Sequence, residues 1–489
     1  MDEGCVFSYL LTEGELTVPE LPVEKKFGKF TVLIDNNTPF SSASDGCIEC
    51  AIFGIAVNVV SGIGDGLAND IVKKCKSIQD VTDYEASLGG KYILLFRNGE
   101  QYYLQGDATC SIPCFFNTEG TFICSSNHRY IVRENKFRED GKYSFIRRCG
   151  NISQAMPYDI TTYREIKQLL PNHYLDVNSQ TSVRFINAQE KQKVLSADKA
   201  VEITLPLIQN LLALYLRNYK IYCPITSGRD SRVVLSFLMS NKADFSCYTI
   251  KHPEHTATTQ DIVIPIELCK KEGVSHKLVE DITLSDEQIQ RADALLGKGC
   301  YSLRTLRIGQ TIRKYFSDGA ILNGDIIGQV GKCSLHRDIP TVFATPSYFR
   351  CKLHNYSRGA KTQLRLWLKE IKQAGEQTNP FDLFSIENRM GRWAGQINEV
   401  YDAIGQVSLN IFNSRSIIYT WTAVNRKTRM NSMIHLKLIG ATSPSLLEVA
   451  FEADESAWTK LSKKTGIFYL AASYVKFFIG KMTFKKPRG

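Results

Sequence analysis

Short apolar runs alternate with stretches of helical periodicity between residues 195 and 271, and this alternation restricts the fold more than any other feature of the chain. Ile203, Leu207, Leu211 and Leu214 recur every three or four residues, which predicts a helix with one buried face in which Pro206 lies in the first turn or makes a kink. The predicted elements that follow are a strand at 221–225, a helix at 233–239, a strand at 245–250 and a helix at 262–271. Because such units connect by right-handed crossovers, we expect a parallel sheet that is covered on both faces.

The amino-terminal half reads as an antiparallel meander. The runs KYILLF (91–96) and QYYLQ (101–105) flank an Asn-Gly turn signal, which predicts a hairpin, and further strands are expected at 113–116 and 122–125. The best boundary between the halves is the charge-rich segment near residue 190, since no Pro-rich or Gly-rich linker is present. From about residue 340 the chain reads as mainly helical, most clearly at 414–424 and 433–447.

The chain has the composition of an ordinary soluble protein that is large enough for two or three domains: 489 residues, 43% hydrophobic and 22% charged. Its 14 cysteines are scattered, so we expect most to be reduced and packed in cores. A zinc site would need the CxxC at Cys47 and the CxxxC at Cys110 to converge, which the sequence does not indicate. For His252 and His255 a solvated loop is the simpler interpretation than a metal site.

The sequence predicts a cytoplasmic protein, because it begins without a secretory signal and its apolar runs are too short for a transmembrane segment. A net charge of +10 favours acidic partners such as nucleotides, polyanions or an anionic membrane surface. The carboxyl-terminal segment interleaves aromatic residues with cations and predicts either peripheral membrane contact or a solvated terminus. The cations are Lys476, Lys481, Lys485, Lys486 and Arg488. No nucleic-acid-binding signature accompanies them.

The segment that follows the predicted strand at 221–225 carries the clearest chemistry. A helix that begins at the carboxyl end of a parallel strand offers free amides and a positive dipole to an anion. Small Gly228 lets the backbone approach a phosphate, the hydroxyls of Thr226, Ser227 and Ser231 can bond its oxygens, and Asp230 can hold Mg²⁺. The alternative is an ordinary turn in which one of these side chains caps the helix.

This loop, Thr-Ser-Gly-Arg-Asp-Ser, resembles the pyrophosphate-binding loop of the asparagine-synthetase family, Ser-Gly-Gly-any-Asp-Ser. Thr226 and Ser227 stand where the family has Ser and Gly, which narrows the room for pyrophosphate. Downstream, the strand FSCYTI, then Asp261 at a helix start, then Gly273 and His276, is similar to the family's next strand, helix and connection.

Leu322-Asn323-Gly324-Asp325 resembles the family's second loop, and Gly324 is expected beside the nucleotide. The resemblance implies that Asp325 helps to orient or deprotonate the attacking amine; the alternative is a turn residue. The family's second acidic residue, a magnesium ligand, falls at Gly328 and is absent, so a further ligand must come from elsewhere. The lysine that stabilises the adenylation transition state is not identified, and the candidates by region are Lys437, Lys460, Lys463 and Lys464.

The amino-terminal half resembles the family's glutaminase-type domain. The landmarks, in family order, are Leu88-Gly89-Gly90-Lys91-Tyr92, Asp107, Ile112 to Phe116, Phe122 to Ser126 and Leu170 to Leu175. Glutaminase chemistry of this type needs a cysteine at the mature amino terminus, but position 2 is Asp2, and Cys5 would require removal of four residues. We therefore expect no glutamine hydrolysis.

The resemblance implies an α/β protein with two domains. Residues 1–190 would form a degenerate class II glutamine-amidotransferase-like domain with αββα-type antiparallel layers. Residues 191–489 would form an adenine-nucleotide α-hydrolase-like ATP-pyrophosphatase domain, with its parallel sheet first and its helical part from about residue 340.

The expected activity is adenylation of a carboxylate by ATP and Mg²⁺, followed by amide formation with ammonia or a substrate amine. Relatives act on uronic-acid sugars, β-lactam precursors or peptides, and the sequence does not choose among these carboxylate substrates. The alternative is a degenerate relative that serves as a binding or regulatory module.

Overall fold

The computed structural model describes residues 4–150, 156–186, 194–451 and 466–483 of the chain. It is an α/β protein with two antiparallel sheets in the amino-terminal half (residues 4–186) and one parallel sheet with many helices in the carboxyl-terminal half (residues 194–483). The predicted boundary near residue 190 lies outside the described residues.

Seventeen strands are found in the described ranges. In chain order they are β1 (Tyr9–Thr12), β2 (Val23–Phe27), β3 (Phe30–Ile34), β4 (Phe40–Ser44), β5 (Ile48–Asn58), β6 (Leu88–Asn98), β7 (Gln101–Gly106), β8 (Phe115–Asn117), β9 (Ile123–Ser125), β10 (Ile166–Gln168), β11 (His173–Asp176), β12 (Thr181–Arg184), β13 (Ile221–Pro224), β14 (Phe245–Lys251), β15 (His276–Glu280), β16 (Ala320–Asn323) and β17 (Ser408–Asn410).

The α-helices are α1 (Leu67–Lys74), α2 (Ile78–Glu85), α3 (His128–Asn135), α4 (Gly141–Arg148), α5 (Ala197–Asn218), α6 (Arg229–Ser240), α7 (Gln260–Lys271), α8 (Asp286–Leu296), α9 (Leu303–Phe316), α10 (Pro346–Lys352), α11 (Arg358–Ala374), α12 (Pro380–Leu383), α13 (Gly395–Ala403), α14 (Arg415–Thr422), α15 (Arg426–Met430), α16 (Met433–Thr442) and α17 (Gly466–Thr483). Two π-helical segments, Ile327–Gly331 and Phe384–Ala394, and two 3₁₀ turns, Thr341–Phe343 and Pro444–Leu447, complete them.

The two sheets of the amino-terminal half have the orders β10-β8-β9-β1-β3-β2 and β12-β11-β7-β6-β5-β4. They share one apolar core, in which the rings of Tyr9 on β1 and Phe53 on β5 lie 5.5 Å apart. Helices α1 and α2 cover the outer face of the second sheet, and α3 covers the first. The predicted hairpin is confirmed, since β6 and β7 pair in register from Asn98 and Gln101 onwards. Strands β8 and β9 also pair, as the sequence indicated.

The carboxyl-terminal half contains the predicted parallel sheet, in the order β15-β14-β13-β16-β17. Alternate residues of β13 enter different cores: Ile221 and Cys223 pack with α5, α6 and α16, whereas Tyr222 packs with α8, α9 and α13. Both faces of the sheet are therefore covered at β13, which is why this central strand is apolar, whereas the edge strand β15 carries His276, Lys277 and Glu280. Pro206 lies in the interior of helix α5, so the predicted first-turn position is wrong, and the alternative, a kink in the helix, stays a prediction.

Helix α5 is the only described helix that is long and apolar enough to cross a membrane. Length and composition are weak evidence for a span, because a core helix of a soluble protein has the same properties. Side chains such as Ile208, Leu211 and Leu212 are fully buried in the protein core. The cysteines form no disulfides, and no group of three or more His, Cys, Asp or Glu in the described ranges could hold a metal ion.

Buried polar groups join the two halves. Asn413, just before α14, donates through Nδ2 to the Gly90 carbonyl at 2.6 Å and to Asp107 Oδ1 at 2.9 Å. Arg415, at the start of α14, donates to Glu85, and both side chains are fully enclosed. The residues that resemble a glutaminase domain therefore anchor that half to the carboxyl-terminal half.

A second buried connection is the ion pair between Lys91 and Asp402. Lys91 Nζ lies 2.6 Å from Asp402 Oδ1, with the side chains 2% and 5% exposed. The ammonium also lies 4.5 Å from the centre of the Phe7 ring. Burial raises the pKa of Asp402 to about 7, although Lys91 opposes the rise. Lys91 therefore both positions the carboxyl group of Asp402 and offsets the free-energy cost of burying it.

Replacing Lys91 by methionine should lower the free energy of unfolding by about 3–5 kcal/mol, because Asp402 would be left buried without its cation. Urea denaturation followed by circular dichroism measures this. Lys26→Met is the matched control, since Lys26 pairs with Glu24 at an exposed site and should cost less than about 1 kcal/mol. Equal effects of the two changes would show that the buried pair does not stabilise the junction.

Candidate active site

The loop 225–228 joins β13 to α6 at the carboxyl edge of the parallel sheet. Gly228 is the residue before the helix, and no described side chain caps the helix there. The amides of the first turn are thus oriented towards the loop, as an anion site requires. The hydroxyls of Thr226 and Ser231 lie 3.2 Å apart, and the Gly228 amide donates to Thr226 Oγ1 at 3.3 Å. Thr226 is exposed, so its hydroxyl can exchange these contacts for a ligand.

The hydroxyl of Ser227 was expected to bond a phosphate, but the structure places it elsewhere. Its side chain is fully buried, and both its amide and its hydroxyl donate to Asp261 Oδ1, at 2.9 and 2.6 Å. Ser227 therefore ties the loop to the first turn of α7 and does not present its hydroxyl to a ligand. Asp261, in the first turn of α7, accepts both of these bonds. Its role in this contact was not evident from the sequence, because the two residues are brought together only by the sheet.

Asp230, in the first turn of α6, forms a hydrogen bond between Oδ1 and His435 Nε2 at 2.9 Å. The histidine is buried, whereas the carboxylate is 40% exposed. Burial tends to raise the pKa of Asp230, but the hydrogen bond with His435 and the charges of His435, Lys332 and Arg229 outweigh it and lower the pKa. Asp230 is therefore held as a carboxylate beside several cations.

Gly328 lies directly against this carboxylate. A Cβ on Gly328 would collide with Asp230 Oδ2. The space beside position 328 is thus filled by the Asp230 carboxylate. No second metal ligand can arise at position 328 without displacing Asp230.

The second predicted loop follows β16, which is hydrogen-bonded in parallel to β13. Parallel neighbours end at the same edge, and Gly324 accordingly lies against α6, where an added Cβ would be 2.8 Å from the Asp230 carbonyl oxygen. The structure thus brings Gly324 and Asp325 together with the Thr226–Ser231 loop, although about a hundred residues separate them in sequence.

Asp325 accepts a hydrogen bond from Asn410 Nδ2 at 2.6 Å. It lines a small cavity of about 30 Å³ together with Lys91, Thr109 and Asn413, between the parallel sheet and the amino-terminal half. Burial raises the pKa of Asp325; the Asn410 hydrogen bond opposes this rise, and the charge of Asp230 adds to it. A carboxylate with a raised pKa is a better proton acceptor near neutral pH than an ordinary aspartate.

Cations line a cleft of about 330 Å³ beside the first loop. Arg229 begins α6, while Lys332 and Arg337 follow the π-helical segment after Asp325. Ser334, Asn431 and Ser432 complete the wall. This cleft offers positive charge and hydrogen-bond donors next to the helix start, which suits a phosphate group.

The sequence did not identify these cations. Among the lysines considered by region, Lys437 pairs with the Asp198 carboxylate on α5 at 2.5 Å. Lys460, Lys463 and Lys464 lie outside the described residues. No sequence motif identifies Lys332 as a site residue. Only the structure shows that it lies near Asp230.

The amino terminus shows why Cys5 is a poor nucleophile in this chain. Its thiol donates to the Glu20 carbonyl at 3.4 Å, and burial raises its pKa to about 11. The residue lines a cavity of about 680 Å³ with Asp35, Asn37 and other polar groups. Asp2 lies outside the described residues. The absence of glutamine hydrolysis stays a prediction.

Comparisons with known proteins give little further information. No family model matches the sequence, and no curated protein matches it. Among solved structures, the glutamine phosphoribosylpyrophosphate amidotransferase of B. subtilis, complexed with ADP and GMP, is 10% identical with a TM-score of 0.24, over 59% of this chain and 65% of that chain. A structure titled as the allosteric regulatory enzyme of purine biosynthesis is also 10% identical, with a TM-score of 0.24, over 65% and 74% of the two chains.

Likeness at that level carries no argument about fold or function. The chain spans about 65% of the length of the first of these proteins. The resemblance to asparagine synthetases therefore rests on the sequence landmarks between residues 88 and 330 and stays a prediction.

Proposed function

We propose that the protein is an ATP-dependent amide-forming enzyme that adenylates a carboxylate and releases pyrophosphate. The observation that carries the proposal is the convergence of Asp230, Gly324 and Asp325 at one edge of the parallel sheet. Such a reaction requires a metal-binding acid, positive charge for the phosphates and a proton acceptor. Asp230 at the start of α6, the basic cleft beside it and the half-buried Asp325 provide these groups.

The phosphate chain of ATP fits the basic cleft. Free amides at the start of α6, the Thr226 hydroxyl and the cations Arg229 and Lys332 would bind its oxygens. Their charges stabilise the negative charge that moves onto pyrophosphate as the bond to the α-phosphate breaks. Lys332 takes the place, in this proposal, of the lysine that the sequence left unassigned.

Asp230 is the residue that would hold Mg²⁺. One of its oxygens is bonded to His435, and the carboxylate is partly exposed towards the cleft. Mg²⁺ usually binds through one or two carboxylates together with phosphates and water, so a single protein ligand is compatible with it. When bound, the ion would neutralise charge on the phosphates.

Asp325 would take the proton of the attacking nitrogen. Its cavity lies between the sheet and the amino-terminal half, and Asn410 fixes the carboxylate by a hydrogen bond. A nitrogen nucleophile in that cavity would approach the adenylated carboxylate from the side opposite the cleft. With Cys5 unsuited to catalysis, we propose free ammonia or a substrate amine as the donor.

The second candidate function is a binding or regulatory module without turnover, and Ser227 and Gly328 favour it. Ser227 is bonded to Asp261, and Gly328 has no side chain that could act as a second metal ligand, while the Asp230 carboxylate fills the space beside it. A module of this kind would bind Mg-ATP without releasing pyrophosphate. Pyrophosphate release from ATP with a panel of carboxylates and ammonia therefore discriminates between the two functions.

Asp230→Asn should abolish pyrophosphate release while shifting the melting temperature by only a few degrees, because a change in the first turn of a helix costs about 1 kcal/mol. The matched control is Asp286→Asn, in the first turn of α8, which should lower stability similarly and leave release unchanged. Full activity of the Asp230 variant would remove this residue from the site.

Asp325→Asn should leave Mg-ATP binding nearly intact and slow amide formation by about 10²-fold to 10⁴-fold, the usual worth of a positioned general base. The wild-type rate should fall as pH decreases through the raised pKa of Asp325, because protonation removes the proton acceptor. This acid limb should disappear in the variant.

Asp318→Asn is the matched control for Asp325, because Asp318 precedes the other end of β16 and bonds to Lys220 and Tyr222. An unchanged pH profile in the Asp325 variant would show that another group takes the proton.

A further inference from the structure

A cluster of chemically active side chains lies in a second cavity between the two halves of the protein, and neither loop lines this cavity. Cys300, in the loop between α8 and α9, faces His128 of α3 and Arg147 of α4, and Glu399 of α13 completes the cluster. The cavity has a volume of about 60 Å³, room for a few water molecules or a small organic group. Neither the sequence patterns nor the proposed amide-forming site accounts for it.

The contacts arrange these groups around the sulfur. Arg147 Nη1 donates to Cys300 Sγ at 2.9 Å, and the His128 imidazole is also hydrogen-bonded to the thiol. His128 Nδ1 lies 3.8 Å from Glu399 Oε1, and the Phe115 ring packs at 5.4 Å from the imidazole. Two donors therefore converge on one half-buried sulfur, while a carboxylate lies behind the histidine.

The charges of the cluster favour the thiolate. Burial tends to raise the pKa of Cys300, and Glu399 does too, but the hydrogen bond and charge of His128 and the charge of Arg147 outweigh them and lower it. For His128, burial lowers the pKa, yet Cys300 and Glu399 raise it to about 9. Glu139 Oε1 lies 3.4 Å from Arg147 Nη2, which brings a second carboxylate close to the cluster.

Cys333 also lies beside cations, Arg426 and Arg429, but burial outweighs their effect and raises the pKa of its thiol. Cys50 and Cys351 are buried in apolar clusters, and burial raises the pKa of the Cys351 thiol to about 11. Such thiols are inert, since the thiolate is the nucleophilic form. The cluster around Cys300 therefore differs in kind from a cysteine that only fills space.

We propose that Cys300 is a nucleophilic thiolate whose cavity receives small anionic electrophiles. Arg147, Arg392 and His128 line the cavity against the single carboxylate of Glu399, so an anion is favoured over a neutral molecule of the same size. The sulfur electron pair forms a bond to the electrophilic carbon, and the leaving group departs with its own electron pair. His128 keeps the proton that the thiol has given up.

Carboxymethylation by iodoacetate tests the proposal on the unmodified protein. Sulfur attacks the methylene carbon, a carbon–sulfur bond forms, and iodide leaves. Cys47, which is exposed, is the internal reference in the same sample, read by mass spectrometry of the peptides. We expect Cys300 to react about tenfold faster than Cys47 below pH 7, despite its lower exposure. Slower reaction of Cys300 at every pH would overturn the proposal.

Two further comparisons test the preference for anions and the role of His128 separately. The preference for iodoacetate over the neutral iodoacetamide should be larger at Cys300 than at Cys47, and an equal preference would refute the anionic specificity. His128→Gln should reduce labelling of Cys300 about tenfold and leave Cys47 unchanged. Unreduced labelling in a folded variant would exclude His128 as the activating partner.

A different observation supports a second inference, at helix α17. Successive residues of a helix are about 100° apart, and the buried side chains Leu470 and Phe477 mark the face that packs on α10. On the opposite face lie exposed apolar side chains over an arc of about 120°. They are Ile467, Ala471, Val475, Phe478, Ile479 and Met482, and the five larger ones are more than half exposed.

Lysines border this outward apolar face. Lys481 lies at one edge of the arc and Lys476 at the other, both exposed. The sequence continues with Lys485, Lys486 and Arg488, which lie outside the described residues. A second copy of the same face would bring these positive charges together, whereas an anionic surface would neutralise them.

We infer that α17 docks on an anionic lipid surface, with its apolar face among the acyl chains and its lysines at the headgroups. The helix would lie in the plane of the membrane, since its inner face stays on α10. Its apolar side chains supply the affinity, and its cations supply the preference for anionic lipid.

Flotation with phosphatidylcholine vesicles, with and without phosphatidylglycerol, tests the inference. The protein should float only with the anionic vesicles, and Phe478→Glu should weaken binding about tenfold or more. Val60→Glu is the control, because Val60 is equally exposed but lies in the amino-terminal half. Binding that survives Phe478→Glu, or no flotation at all, would refute the inference. A lipid-free dimer that Phe478→Glu dissociates would instead assign this face to a second copy of the chain.

Discussion

The structure depends on charged and polar groups that are buried between its two halves and bonded to each other across the junction. Lys91 with Asp402, Glu85 with Arg415 and the amide of Asn413 with Gly90 all cross this junction. A buried charge without its partner is strongly unfavourable, so these pairs fix the position of the amino-terminal half against the parallel sheet. Gly90, Lys91 and Asp107 of the amino-terminal half therefore serve as attachment points for the carboxyl-terminal half.

That junction shapes the candidate active site as well. Asp325 lies in a cavity whose walls come from both halves, including Lys91 and Thr109 from the amino-terminal half. The raised pKa of its carboxyl group is a consequence of this enclosure. On the neighbouring loop at the same edge, the pKa of Asp230 is lowered, because His435 and the neighbouring cations stabilise its charge. Two acids from adjacent loops thus have opposite electrostatic environments, an arrangement that suits one for binding charge and the other for accepting a proton.

Both π-helical segments lie next to the candidate site. Ile327–Gly331 follows Asp325 and places Gly328 against Asp230, while Phe384–Ala394 precedes α13 and lines the cavity of Asp325 through Met390 and Ala394. The wider turn of a π-helix changes which residues face inward. At the first segment it brings a residue without a side chain to the position where any Cβ would collide with the carboxylate.

Local pattern was sufficient for much of the fold and for the location of the candidate site. Apolar runs that alternate with helical periodicity determined the parallel sheet, the Asn-Gly signal determined the hairpin of β6 and β7, and the loop residues marked the carboxyl edge. Only the tertiary structure decided that Ser227 bonds to Asp261, that Gly328 lies against the Asp230 carboxylate and that Lys332 lines the cleft beside the first loop. It likewise assembled Cys300 with His128 and turned the apolar face of α17 outward. The physical reason is that sequence periodicity reports how a residue is buried by its own element, whereas hydrogen-bond partners, pKa shifts and steric exclusion depend on groups that the chain brings close from distant positions.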